Sequence, residues 1–170
     1  MHIRLVHFML LAALAGFAGM ATFAARTAAQ DQTNPADAAP QPFNPQMSAL
    51  MSMLIQPRHA KVGLAGKAEN WVLAGYAYRE LVNGFGVISR AVPRWKGLPV
   101  PDLFDAALKQ PFAVLDFAIK AGDTRQFNEA FGRVTAGCNA CHTTADHPFI
   151  VIKAPDASSF PNQEFQPGKR

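Results

Sequence analysis

Both cysteines of this 170-residue chain fall within five residues, Cys138-Asn139-Ala140-Cys141-His142. No other feature constrains the fold as strongly. Two thiols three apart share one face of a helix, and an imidazole follows on the same side. Whatever the chain builds, it must present these three groups together.

A Cys-x-x-Cys-His run is the attachment pattern of a c-type haem. Each thiol adds to one haem vinyl group, and the histidine places its imidazole under the iron as proximal ligand. The residues expected to carry one haem c are therefore Cys138 and Cys141 as thioethers, with His142 on the iron. Three other readings stay open. A redox-active thiol pair belongs in a strand-helix-strand setting, which nothing around this stretch suggests. A zinc site needs four ligands, and Cys138, Cys141, His142 and His147 make a cramped cage. A plain disulfide across three helical residues is strained.

The N-terminus has the form of an export signal. Met1 to Arg4 is short and positive, Leu5 to Met20 is apolar, and Thr27-Ala28-Ala29 offers a cleavage site after Ala29, with Ala24 as runner-up. An uncleaved membrane anchor is the alternative, although the apolar run is short and includes His7. Export and haem agree, because this attachment takes place outside the cytoplasm, where a free Cys-x-x-Cys would otherwise oxidise. The expected location is the periplasm. Removing residues 1–29 takes Arg4 and Arg26 and no acid, so 14 of the 16 basic residues remain against 12 acidic ones, a net of +2. With no basic run or basic helix, the pI near 9.3 is not a nucleic-acid signal.

Residues 30–45, rich in Pro, Gln, Asp and Ala, read as a flexible leader. From Pro45 a first helix carries Met47, Leu50, Met51, Leu54, Ile55, Val62 and Leu64 to Gly66, with a kink expected at Pro57. A second runs from about Ala68 or Asn70 to Val92 on the stripe Trp71, Ala74, Tyr78, Leu81, Phe85, Ile88 and Val92. Gly75, Gly84 and Gly86 within it mark candidate points of close approach. Residues 93–101 form a Pro-rich connector. A third helix, from Asp102 to Ala121-Gly122, carries Leu103, Phe104, Ala107, Leu108, Phe112, Leu115, Ala118 and Ile119, with a kink expected at Pro111. Asp123 caps a fourth with Gln126 three residues on. Its stripe of Phe127, Phe131, Val134, Cys138 and Cys141 places the cysteines on the buried face. The tail, residues 146–170, is broken by prolines. Its run Phe149-Ile150-Val151-Ile152 is expected to pack over the domain. The fold class is all-α, an up-down-up-down four-helix bundle over residues 46–145 with an extended Pro-rich C-terminal tail.

Four helices with the motif near the end of the last one resemble the class II c-type cytochromes, the cytochrome c′ group, over roughly Pro45 to Ala145. The long tail, Pro57 and Pro111 depart from that pattern. The resemblance implies that Cys138 and Cys141 hold the haem, that His142 is proximal, and that the first helix covers the opposite haem face. Some members leave the iron five-coordinate and others supply a methionine. It also implies a homodimer by analogy.

Met47, Met51, Met53 and His59 are the distal candidates. The motif lies 15 to 19 residues past Asp123, and the same depth counted back from Gly66 gives Met51 to Met47. Met51 is the first choice. On this count His59 lies nearer the other end by about 12 Å. Arg58, Lys61, Arg94 and Lys96 are candidate partners for haem propionates. The expected function is electron transfer with periplasmic or membrane-bound redox partners. A five-coordinate binder of small gases is the second reading, and a thiol-redox or metal-binding module the third. No Ser/His/Asp set, carboxylate pair or phosphate-cradling loop points to an enzyme.

Overall fold

The computed structural model describes residues 44–168. The signal sequence expected over residues 1–29, and residues 30–43 of the expected leader, lie outside them. The described chain is mostly helical, with α1 (Met47–Leu50), a π turn (Met51–Ile55), α2 (Gln56–Lys67), α3 (Trp71–Ala91), α4 (Val100–Ala121) and α5 (Thr124–Thr144). Among the described residues, no helix is long and apolar enough to cross a membrane.

Local chemistry sets the helix ends. The Asn70 side chain accepts from Leu73 N–H (3.2 Å) and starts α3. Asp123 does the same for Gln126 N–H (2.8 Å), and the Gln126 amide returns a bond to the carboxylate (3.2 Å). Those bonds hold the Asp123 carboxyl below its ordinary value. Gly122 closes α4 in the left-handed region, with φ 65°. α4 begins at Val100 rather than Asp102, because Pro101 fits a first turn whose N–H groups have no helical partner.

Pro57 disturbs the first helical run, but as a π turn rather than a simple kink. Gln56 N–H bonds to Met51 O, five residues back, immediately before the proline. The wider turn accommodates a residue that has no N–H and whose ring crowds the carbonyl four positions earlier.

Residues 93–99, expected to be irregular, hold a minimal hairpin of β1 (Arg94–Trp95) and β2 (Leu98–Pro99). Lys96 and Gly97 both have positive φ (47° and 83°), as a two-residue turn requires.

α2 packs on α3, α3 on α4, α4 on α5, and α5 on α2. The last pair runs antiparallel in one continuous register. His59 meets Thr135, Gly63 faces Phe131, Gly66 faces Phe127, and Thr124 Oγ1 donates to Glu69 (2.8 Å). The close approaches are therefore at Gly63 and Gly66, together with Gly137. Gly86 meets only an arginine of its own helix, Gly75 makes ordinary contact with Arg79 and with Ile119 of α4, and Gly84, against Ile55, is the tightest of the three.

Beyond α5, Phe165 is buried and Ile152 and Phe160 pack against the core. Asn70 Nδ2 donates to the Phe165 carbonyl (3.2 Å). Phe149 and Val151, expected to find cover, stay 76% and 73% exposed.

Candidate functional site

One cavity of about 190 Å³ collects the residues singled out above. Met51 and Ile55 of the π turn and His59 of α2 line it, together with Cys138, Cys141 and His142 of α5. Phe85, Phe104 and Leu108 supply apolar wall from α3 and α4. The volume exceeds that of an engineered apolar cavity of roughly 150 Å³ that admits benzene.

α5 brings the two thiols there because its stripe continues through them. Phe127, Phe131, Val134, Cys138 and Cys141 are all buried. Gly137 allows the close approach at this level. A Cβ on it would sit 2.6 Å from the Ala107 carbonyl and 2.8 Å from Leu108 Cδ2. That carbonyl lacks its helical donor because residue 111 is proline, so Pro111 and Gly137 act at the same contact.

Both cysteines are free and buried. Burial, with the neighbouring Cys141, pushes the Cys138 thiol up to about 12, and burial raises Cys141 as well. A redox pair needs a thiolate near neutral pH, so this setting does not suit thiol exchange. His142 Nδ1 lies 2.8 Å from the Ile150 carbonyl. A carbonyl only accepts, so Nδ1 carries the proton and Nε2 keeps its lone pair for another partner. Among the described residues, no group of three or more His, Cys, Asp or Glu is placed to hold a metal ion. His147 contributes to the cavity wall instead, its Nδ1 bonded to Ala145 O (2.7 Å).

Met51, Ile55 and His59 follow at steps of four. In an unbroken α-helix each such step drifts by about 40° around the axis. The π turn takes up part of that drift, which keeps all three on the cavity. The depth count that separated His59 from the motif is corrected by the register: Thr124 meets Glu69, beyond the helix end assumed at Gly66. His59 instead lies beside Thr135, one turn from Cys138. Thr135 precedes His142 by seven residues and His59 follows Met51 by eight, so the same antiparallel register carries Met51 close to the level of His142.

The two candidates differ chemically. Thr135 donates its hydroxyl to Phe131 O (3.0 Å), so its oxygen accepts from His59 Nε2–H (3.0 Å). The ring also stacks on Phe131 at 4.6 Å. His59 Nε2 is thus committed, while the Met51 thioether has no such bond to break. Met47 lines the cavity too, but Met53 is 71% exposed on another face.

Burial lowers His59 from 6.5 to about 4. The unfolded chain therefore binds a proton between those values that the folded chain does not. This contribution to stability is complete above pH 6.5, is lost as pH falls toward 4, and amounts to about 3 kcal/mol. His59→Gln is expected to flatten this acid limb in urea unfolding measured from pH 7 to 4. An unchanged limb would place the titration elsewhere.

Of the candidate propionate partners, Arg58 donates to Leu54 O (2.8 Å) and faces Glu80, and Lys61 lies over Phe160, both away from the cavity. Lys96 stacks on Trp95 (4.8 Å), a cavity residue, so the hairpin carries the nearer cation. Trp95 lines the site without having been singled out in the sequence, whereas Ile150 and Ile152 belong to the run expected to pack over the domain. The hairpin is too short for a periodic signal, and the tail residues reach the site only through tertiary contacts.

The chain matches no protein-family model, no curated protein and no solved structure.

Proposed function

We propose that the chain is an exported mono-haem c-type cytochrome that carries electrons, built as an up-down-up-down four-helix bundle resembling the class II cytochromes. One observation carries the reading. Cys138, Cys141 and His142 line a single apolar cavity, and His142 has its Nδ1 proton tied to Ile150 O, which leaves Nε2 for iron. A metal-binding histidine typically donates its other ring nitrogen in this way. The donor set therefore suits a haem attached through two thioethers with one axial imidazole. The ring-like packing of α2 to α5 and the antiparallel α2–α5 register support the bundle.

When bound, the haem supplies a one-electron iron couple whose potential depends on axial ligand, hydrogen bonding and burial. The chain's own part is to hold His142 in one orientation, to surround the site with Phe85, Phe104 and Leu108, and to bring Met51 into the same cavity. A fixed set of ligands favours electron transfer over catalysis. The partners are periplasmic or membrane-bound redox proteins, and the leader and export signal fit that location.

Met51 is proposed as the sixth ligand. Reduced protein is then expected to show a sharp low-spin α band, and Met51→Ala a broad high-spin spectrum that responds to CO. A wild-type spectrum that is already high-spin and shifts with NO or CO would instead favour a gas-binding haem. An identical low-spin spectrum in Met51→Ala would remove Met51 from the iron.

A further inference from the structure

We propose that Asn139, between the two cysteines, is a positioning residue for His142, acting through the segment that follows α5. The inference rests on the reading of His142 as an iron ligand and deepens it. Asn139 makes a two-point clamp on one residue: Ile152 N–H donates to Oδ1 (2.7 Å), and Nδ2 donates to the Ile152 carbonyl (2.9 Å). Two residues earlier, the Ile150 carbonyl accepts the His142 Nδ1 proton (2.8 Å). The chain between is folded back by His147 N–H to His142 O (2.7 Å) and Ile150 N–H to His147 O (3.0 Å). The result is a closed circuit, from Asn139 to Ile152, back to Ile150, and from there to the ring of His142.

Beside the ring itself, apolar burial holds this segment only weakly. Phe149 and Val151 are 76% and 73% exposed, and Ile150 is 42% exposed. A hydrogen bond near the surface competes with water and contributes little unless its acceptor is already in place. Asn139 keeps the Ile150 carbonyl in place, with Ile152 packed partly on the core as the anchor. The bond draws negative charge onto the imidazole and raises its basicity as a ligand, which favours ferric iron and lowers the potential. Loosening the clamp weakens that effect. Water reaching the site would act in the opposite sense, because a more polar surrounding also favours the charged ferric state.

The test uses full-length mature protein loaded with haem, as wild type, Asn139→Ala and Asn139→Gln. The glutamine variant keeps a polar amide, so it guards against a folding failure in the alanine variant. Amide exchange at Ile152 is expected to quicken about tenfold in either variant. The haem midpoint potential is expected to rise while covalent haem is retained. Unchanged exchange at Ile152, an unchanged potential alongside a lowered melting temperature, or a potential that falls would each overturn the positioning role. A wild-type protein without haem would overturn the parent reading and this one with it.

Discussion

Replacing Cys138 and Cys141 together by serine is expected to abolish covalent haem, leaving no haem stain after denaturation, while each single variant keeps one thioether and stains. The double variant is also expected to be much less stable than the loaded protein. Its cavity of about 190 Å³ is then unfilled. At ~24 cal/mol per Å³ that corresponds to roughly 4–5 kcal/mol, an upper figure because the cavity opens to solvent. The serine hydroxyls contribute less to the loss. Thr135, Thr143 and Thr144 on the same helix each return their hydroxyl to a carbonyl four residues back, and a serine can do likewise. Urea unfolding reads the difference as a lower midpoint. Equal stability and equal staining in the double variant would mean that neither sulfur attaches the cofactor.

Gly66→Ala is the second large effect, and its sign separates two opposing terms. In a helix, alanine is favoured over glycine by about 1 kcal/mol, so propensity alone predicts stabilisation. Packing predicts the reverse. A Cβ at Gly66 overlaps the ring of Phe127. Phe127 is 1% exposed and is held between Trp71 at 5.7 Å and Phe131 at 5.7 Å, so it has little room to retreat. Overpacking a tight core costs about 1–3 kcal/mol, and the upper end applies here. The expected net is a destabilisation of about 2 kcal/mol, read as a lower unfolding midpoint with unchanged slope. Adding Phe127→Leu should recover part of it, which a double-mutant cycle reports as coupling. A stabilised Gly66→Ala protein would mean that α2 and α5 do not approach as described.

The helices were legible because each long apolar stripe repeats with the helical period. The stripe residues Leu81, Phe85, Leu108, Leu115, Phe127 and Val134 are all buried. Pro57 signalled a disturbance but not its form, since a π turn changes bonding from four residues back to five without altering composition. The depth count was offset by about one turn because loop residue Glu69, rather than the helix end, meets Thr124. Glycines stood out by name, but their faces did not. Gly63, Gly66 and Gly137 are the tight ones, and only tertiary packing reveals that. Phe149 and Val151 defied expectation because Ile150 and Ile152, the alternate residues of the run, take the places on the cavity, while hydrogen bonds involving Asn139 and His142 fix the backbone.

At the site, Cys138, Cys141 and His142 were legible as neighbours in sequence, and Met51, chosen by the depth count, lines the same cavity. His59 was misplaced in depth. Asn139 carried no sequence signal, because its role depends on Ile152, thirteen residues later. Trp95 stood on a hairpin too short to show a pattern.

The central proposal, one haem held through both sulfurs, is tested most directly by the intact mass of the exported, purified protein after denaturation. The expected result is the mass of the mature polypeptide plus one haem, with no thiol open to alkylation. A mass equal to the polypeptide alone, with two reactive thiols or a disulfide between them, would contradict it.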